Sequence, residues 1–171
     1  IPRAAARRAL GDGARRRAVY QVAQFADDAG IHTTDLIYVL DDPDLAGALD
    51  ELAPELHQLY RIPFRVATLA RQAGYAGASN AGAALARGRL LLLLHPDVVP
   101  DQAGWLAPLV SFYDAADGIG ALGPKLVYED GSLQHAGLQL RRPPGSATGQ
   151  TAHRFKGLHR TLPAACRPEP V

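Results

Sequence analysis

Four side chains are placed where they can do chemistry: Asp41, Asp42, His95 and Asp97. Each follows an apolar run, "LIYVL" at 36–40 for the first two and "LLLLL" at 90–94 for the others. Carboxylates at the tips of buried runs suit two tasks. They hydrogen-bond the hydroxyls or base of a nucleoside, or they hold Mg2+ or Mn2+ between protein and phosphate. The cation matters because carboxylates alone would repel a diphosphate. About 55 residues separate the two groups, which suits neighbouring strand ends and not a local motif. The same residue types also cap helices and form turns, the competing reading for Asp42 and Asp44 above all.

Other constellations are weaker. "GYAGASNAG" carries Gly74, Gly77 and Gly82 but is neither GxGxxG nor a Walker loop. Its small residues serve either close packing of helix on sheet or a backbone approach to phosphate. His135, His153 and His159 have no HExxH spacing and no CxxC partner, so a zinc site is not indicated. Ser79, Ser111, Ser132 and Ser146 lack the GxSxG context of a serine hydrolase.

The elements that must position these residues follow from periodicity. From Ala14 to Asp28, apolar residues recur at helical spacing and Gly30 follows as a stop. "LIYVL" then reads as a strand ended by Asp41, Asp42 and Pro43. Residues 45–60 read as a helix broken or kinked near Pro54, and Phe64–Ala70 as a second strand. "GASNAGAALARGR" reads as a helix capped by Ser79 or Asn80 and closed by Gly88. The leucine run is too short for a bilayer, which needs about 20 apolar residues, so it is expected to be a buried central strand. A helix to about Ala116, a strand or strand pair in "IGALGPKLVY" and a hairpin at Asp130–Gly131 complete the pattern.

This alternation predicts an α/β fold: a doubly wound, mostly parallel sheet flanked by helices, followed by a hairpin and a loop-rich stretch over 141–171. Ligands of such sheets bind beyond the carboxyl ends of the strands, which would line up Asp41, Asp42, His95 and Asp97.

Composition narrows the class. A chain of 171 residues, 47% hydrophobic and 20% charged, is ordinary globular material of one domain's length. A formal net charge of +1 gives no global attraction to nucleic acid or an anionic membrane. Arginines crowd the first 17 residues, and 141–171 are also basic, patterns that solvated faces and loops explain. The single Cys166 excludes an internal disulfide framework and fits a reducing compartment. The basic start has no signal-like apolar stretch. The absence of methionine leads to the expectation of a piece of a longer protein.

Taken together, "LIYVLDDPD", "RQAGYAGASNAGAALARGRLLLLLHPDVVP", "GWLAPLV" and "IGALGPKLVYEDGSLQHAG" resemble the GT-A fold family 2 glycosyltransferases, in particular their rhamnosyltransferase-like branch. The resemblance covers Ala18 to Gly137. It implies a single GT-A nucleotide-sugar-binding domain over 1–171. It also implies inverting transfer of a sugar from a nucleotide-sugar donor to a glycan or glycolipid acceptor, with a cytoplasmic location and peripheral membrane contact.

Residue by residue, the resemblance puts the donor nucleoside at Asp41 with Asp42 beside it. Gly74, Gly77 and Asn80 fall on the family's "NxGxxxAxNxG" segment, with Gln72 where Asn is usual. The DxD motif, which binds the divalent cation (Mg2+ or Mn2+) and the diphosphate, falls on "HPD": Asp97 matches its last acid and His95 replaces its first. Lys125 and His135 fall on the acceptor side. The family's catalytic base falls outside the chain, so no residue here is assigned that role. Two other readings remain open: a nucleotide-sugar-binding module without catalysis, and a nucleotidyltransferase using the same carboxylates. "GDGARRR" is a poor match to the opening loop of the latter.

Overall fold

A computed structural model describes residues 13, 19, 21–142, 145 and 148–168 of the chain. The chain divides into two compact units, the first ending at Pro108 and the second beginning at Leu109.

In the first unit, helix α1 is described at residues 21–26, with Gly13 and Val19 also helical. The rest of the predicted 14–28 helix, residues 14–18 and 20, lies outside the described residues. Helix α1 gives way to a 3-10 turn over Ala29–Thr33, capped by Asp28, whose Oδ1 accepts from the Gly30 amide at 2.8 Å. Gly30 sits inside that turn and is not the stop itself.

Strand β1 (Leu36–Leu40) pairs in parallel with β2 (Phe64–Thr68), Leu36 opposite Phe64 and Leu40 opposite Thr68. A parallel pair needs a crossover. Helix α2 (Ala46–Tyr60) supplies it, turning its Leu49, Leu52 and Leu56 inward. Their spacing of three and four residues puts them on one face, and burying each contributes about 2 kcal/mol. They meet Val22 and Phe25 of α1 together with Ile31 and Ile62, and Tyr38, Phe64 and Trp105 pack around this cluster. Pro54 does not break α2; the helix runs through it and ends at Arg61, whose left-handed φ of 57° closes it.

Helix α3 (Gly74–Leu85) starts well before the position that capping by Ser79 or Asn80 predicts. Ser79 and Asn80 are interior to it. It ends on an extended Ala86 and not on a left-handed Gly88. Gly82 faces β1: a Cβ there would lie 2.9 Å from Val39 Cγ2, so this glycine permits close packing of helix on strand.

The leucine run departs most from expectation. Residues 91–95 belong to no helix or strand, and β1 and β2 form a two-stranded sheet without them. Leu94 packs on the core, but Leu91, Leu92 and Leu93 are 57%, 48% and 58% exposed. An apolar run is buried as a central strand only where strands flank it on both sides. Among the described residues none pairs with this one. The α/β character therefore holds, with one parallel βαβ unit described.

Helix α4 (Leu106–Ala115) agrees with its prediction. The second unit contains β3 (Leu126–Val127) and β4 (Leu133–His135), joined by the predicted hairpin, with Gly131 at φ 82°. Strand β3 is far shorter than "IGALGPKLVY" promised. Strands β5 (Leu138–Arg141) and β6 (Gln150–His153) form a second antiparallel pair. The 141–171 stretch thus carries a strand and a 3-10 turn at Pro163–Cys166. Leu133, fully buried, exchanges backbone hydrogen bonds with Leu158 and Gly157 at 2.7 and 2.8 Å, which anchors that stretch to the hairpin.

Candidate functional site

The first unit gathers its chemistry-bearing residues around the N-terminal turn of α3. Asp41, leaving β1, turns its carboxylate onto that helix: Oδ1 accepts from the Ala73 amide at 2.6 Å and Oδ2 from the Gly74 amide at 2.8 Å. A helix start leaves its amides unpaired and carries a partial positive charge, so a carboxylate is stabilised there. Gly74 has φ 73°, a conformation that favours glycine, and this bends the chain so that both amides face Asp41. Each oxygen of Asp41 keeps a lone pair for a further donor. Asp42 is exposed and caps the next 3-10 turn, accepting from the Asp44 amide at 3.0 Å.

One residue on, Tyr75 lies with its ring 6.4 Å from that of His95. His95 in turn is 3.6 Å from Asp97, Nδ1 to Oδ2. Asp41, Gly74, Tyr75, His95 and Asp97 are therefore linked by successive neighbours, with the two acids at the ends of the line. Gly77 is half-buried and Asn80 exposed, both further along α3.

The loop carrying His95 and Asp97 is held from below. Gln21, only 5% exposed, directs its amide nitrogen at three carbonyls of that loop: Pro96 at 2.9 Å, His95 at 3.3 Å and Val98 at 3.4 Å. Asp28, also buried, accepts from the Leu106 amide through Oδ2 at 3.1 Å and so caps α4. Neither residue, nor Tyr75, was picked out from the sequence. A polar residue within an amphipathic helix pattern was the available signal for Gln21, and it does not reveal its partners.

As a cation site, the "HPD" loop offers less than its two side chains promise. The Asp97 amide donates to His95 Nδ1 at 3.2 Å. A hydrogen on Nδ1 would meet that amide hydrogen, so the contact favours the tautomer with hydrogen on Nε2. Nδ1 is engaged and Nε2 is a donor, leaving no lone pair for a metal. Asp97, 66% exposed, keeps a carboxylate of the hard oxygen type that Mg2+ and Mn2+ prefer. Among the described residues no three His, Cys, Asp or Glu side chains converge as a metal cluster.

Lys125 and His135 lie in the second unit. Lys125 Nζ donates to the Arg160 carbonyl at 3.1 Å and approaches Cys166 Sγ at 3.7 Å. His135 faces His153, their Nδ1 atoms 3.0 Å apart with rings edge to face, so the two share one proton. Burial, and secondarily His153, lowers the His135 pKa below the usual histidine range. His153 is a partner that spacing alone did not identify.

The sequence profile of glycosyl transferase family 2 matches residues 17–165. The chain belongs to glycosyl transferase family 2. Over 76 residues the chain is 38% identical to the uncharacterized protein y4gI of Sinorhizobium fredii, covering 44% of this chain and 8% of that protein. Over 81 residues it is 36% identical to the O-antigen biosynthesis protein RfbC of Myxococcus xanthus, covering 47% of this chain and 6% of that protein. The chain thus spans less than a tenth of either relative's length. No solved structure matches it significantly. Among the described residues no helix is long and apolar enough to cross a membrane.

Proposed function

We propose that the chain binds the donor of an inverting glycosyltransferase that builds polysaccharide, moving a sugar from a nucleoside diphosphate to a glycan or lipid-linked acceptor. The observation that supports this is the line of neighbours from Asp41 at the N-terminal turn of α3 through Tyr75 and His95 to Asp97. Asp41 meets the nucleoside, with Asp42 beside it. Asp97 meets the diphosphate through Mg2+ or Mn2+, which supplies positive charge to the leaving group when bound. The RfbC likeness supports the polysaccharide reading. The motifs in 36–44 and 71–100 support a GT-A arrangement of the rhamnosyltransferase-like branch, in a cytoplasmic protein that touches the membrane peripherally. Lys125 and His135 serve the acceptor side. Transfer also requires a base for the acceptor hydroxyl, and we assign that role to none of the described residues.

Calorimetric titration of the chain with UDP, dTDP and GDP, with and without Mn2+, tests this. Asp41→Ala should weaken binding in both conditions, and Asp97→Ala should remove the metal-dependent part. Failure of all three nucleotides to bind, or equal losses for both variants in both conditions, would sink the assignment.

A further inference from the structure

Resting on that donor reading, the loop geometry carries one step more. We propose that His95 holds the donor diphosphate as an Nε2–H hydrogen-bond donor and is not a ligand of the divalent cation.

Three observations support this. The first is the Asp97 amide pointing at His95 Nδ1 at 3.2 Å, which fixes the tautomer with hydrogen on Nε2. The reverse tautomer would need an Nδ1–H bond to Asp97 Oδ2, and 3.6 Å is too long for one. The second is exposure: the His95 side chain is 53% accessible while its Nδ1 edge faces its own loop. The third is support. Pro96 restricts the backbone of His95 to extended conformations, and buried Gln21 holds the carbonyls of His95 and Pro96. The ring is presented by a loop that is pinned from beneath.

The two residues then have complementary work. A neutral N–H donor suits a phosphate oxygen and repels a cation. Asp97 would repel the diphosphate unless a cation lies between them, and Mg2+ is commonly held by one carboxylate, substrate phosphates and water. The cation accordingly enters with the nucleotide, and His95 contributes whether or not the cation is present.

The test combines affinity with the state of the ring. His95→Ala should weaken UDP binding about tenfold, by the same factor in Mg2+ and in EDTA, the size expected of a hydrogen bond to a charged group. Long-range 1H–15N correlation spectra of the chain saturated with UDP and Mg2+ should show His95 Nε2 still protonated and its resonance displaced from the free state. A loss confined to Mg2+, or deprotonation of Nε2 on adding the cation, would establish His95 as a ligand and overturn the proposal. If UDP, dTDP and GDP shift the Ala73 and Gly74 amides but leave the His95 ring unmoved, the proposal falls and the donor reading stands. If they shift nothing, both fall.

Discussion

Replacing Gln21 by leucine isolates the support of the "HPD" loop from its chemistry. The substitution keeps most of the side-chain volume and removes an amide nitrogen that serves three carbonyls at 2.9, 3.3 and 3.4 Å. Two hydrogens serve three acceptors, so the shortest bond, to Pro96, is a full one and the longer pair share the rest. Gln21 is 5% exposed, so water cannot fully take over. Leaving one or two buried carbonyls unsatisfied costs about 1–3 kcal/mol. For a chain of this size that lowers the thermal midpoint by roughly 3–9 °C, using about 3 °C per kcal/mol. Thermal unfolding followed by circular dichroism reads the stability. Titration with UDP reads the loop, and affinity should fall because the loop that carries His95 and Asp97 loses the bonds to its His95, Pro96 and Val98 carbonyls. An unchanged midpoint together with unchanged affinity would refute the claim that Gln21 positions the loop. A lower midpoint with full affinity would confine its role to stability.

Asp41→Asn keeps one acceptor oxygen and loses the other bond to the start of α3, so stability should drop by about 1 kcal/mol in urea unfolding. Gly82→Ala drives a methyl into Val39 and should cost about 1–3 kcal/mol in the same assay, while an exposed position such as Gly47, with nothing within 4 Å, should tolerate alanine. The His135 pKa is lowered in the folded state, so the neutral ring is favoured there. Stability from this pair is present above about pH 6.5 and is lost as pH falls through the unfolded value towards the folded one. His153→Ala removes only the secondary cause and should weaken that dependence in part, and denaturation midpoints between pH 5 and 8 check it.

Local sequence chemistry determined a good deal. The Leu49, Leu52 and Leu56 spacing specified a helix face, the "LIYVL" and "FRVAT" runs specified strands, and Asp130–Gly131 specified a tight turn. In each case the determining interactions lie within a few residues along the chain. The order of residues marked Asp41 and the "HPD" loop as candidates, and Asp41 does reach the start of α3.

Tertiary structure alone decided the rest. Helix α3 begins at Gly74 because Asp41, more than 30 residues upstream, caps it, and α4 is capped by Asp28 across a still longer interval. A local scan for Ser79 or Asn80 has no access to such partners. Gln21 reads as any polar residue on an amphipathic helix until the loop it binds is folded against it. The tautomer of His95 depends on where one backbone amide points. The leucine run shows the same limit from the other side. Hydrophobicity favours its burial, yet Leu91, Leu92 and Leu93 stay exposed, because a buried central strand needs hydrogen-bonding neighbours, which are a property of the assembled sheet and not of five leucines.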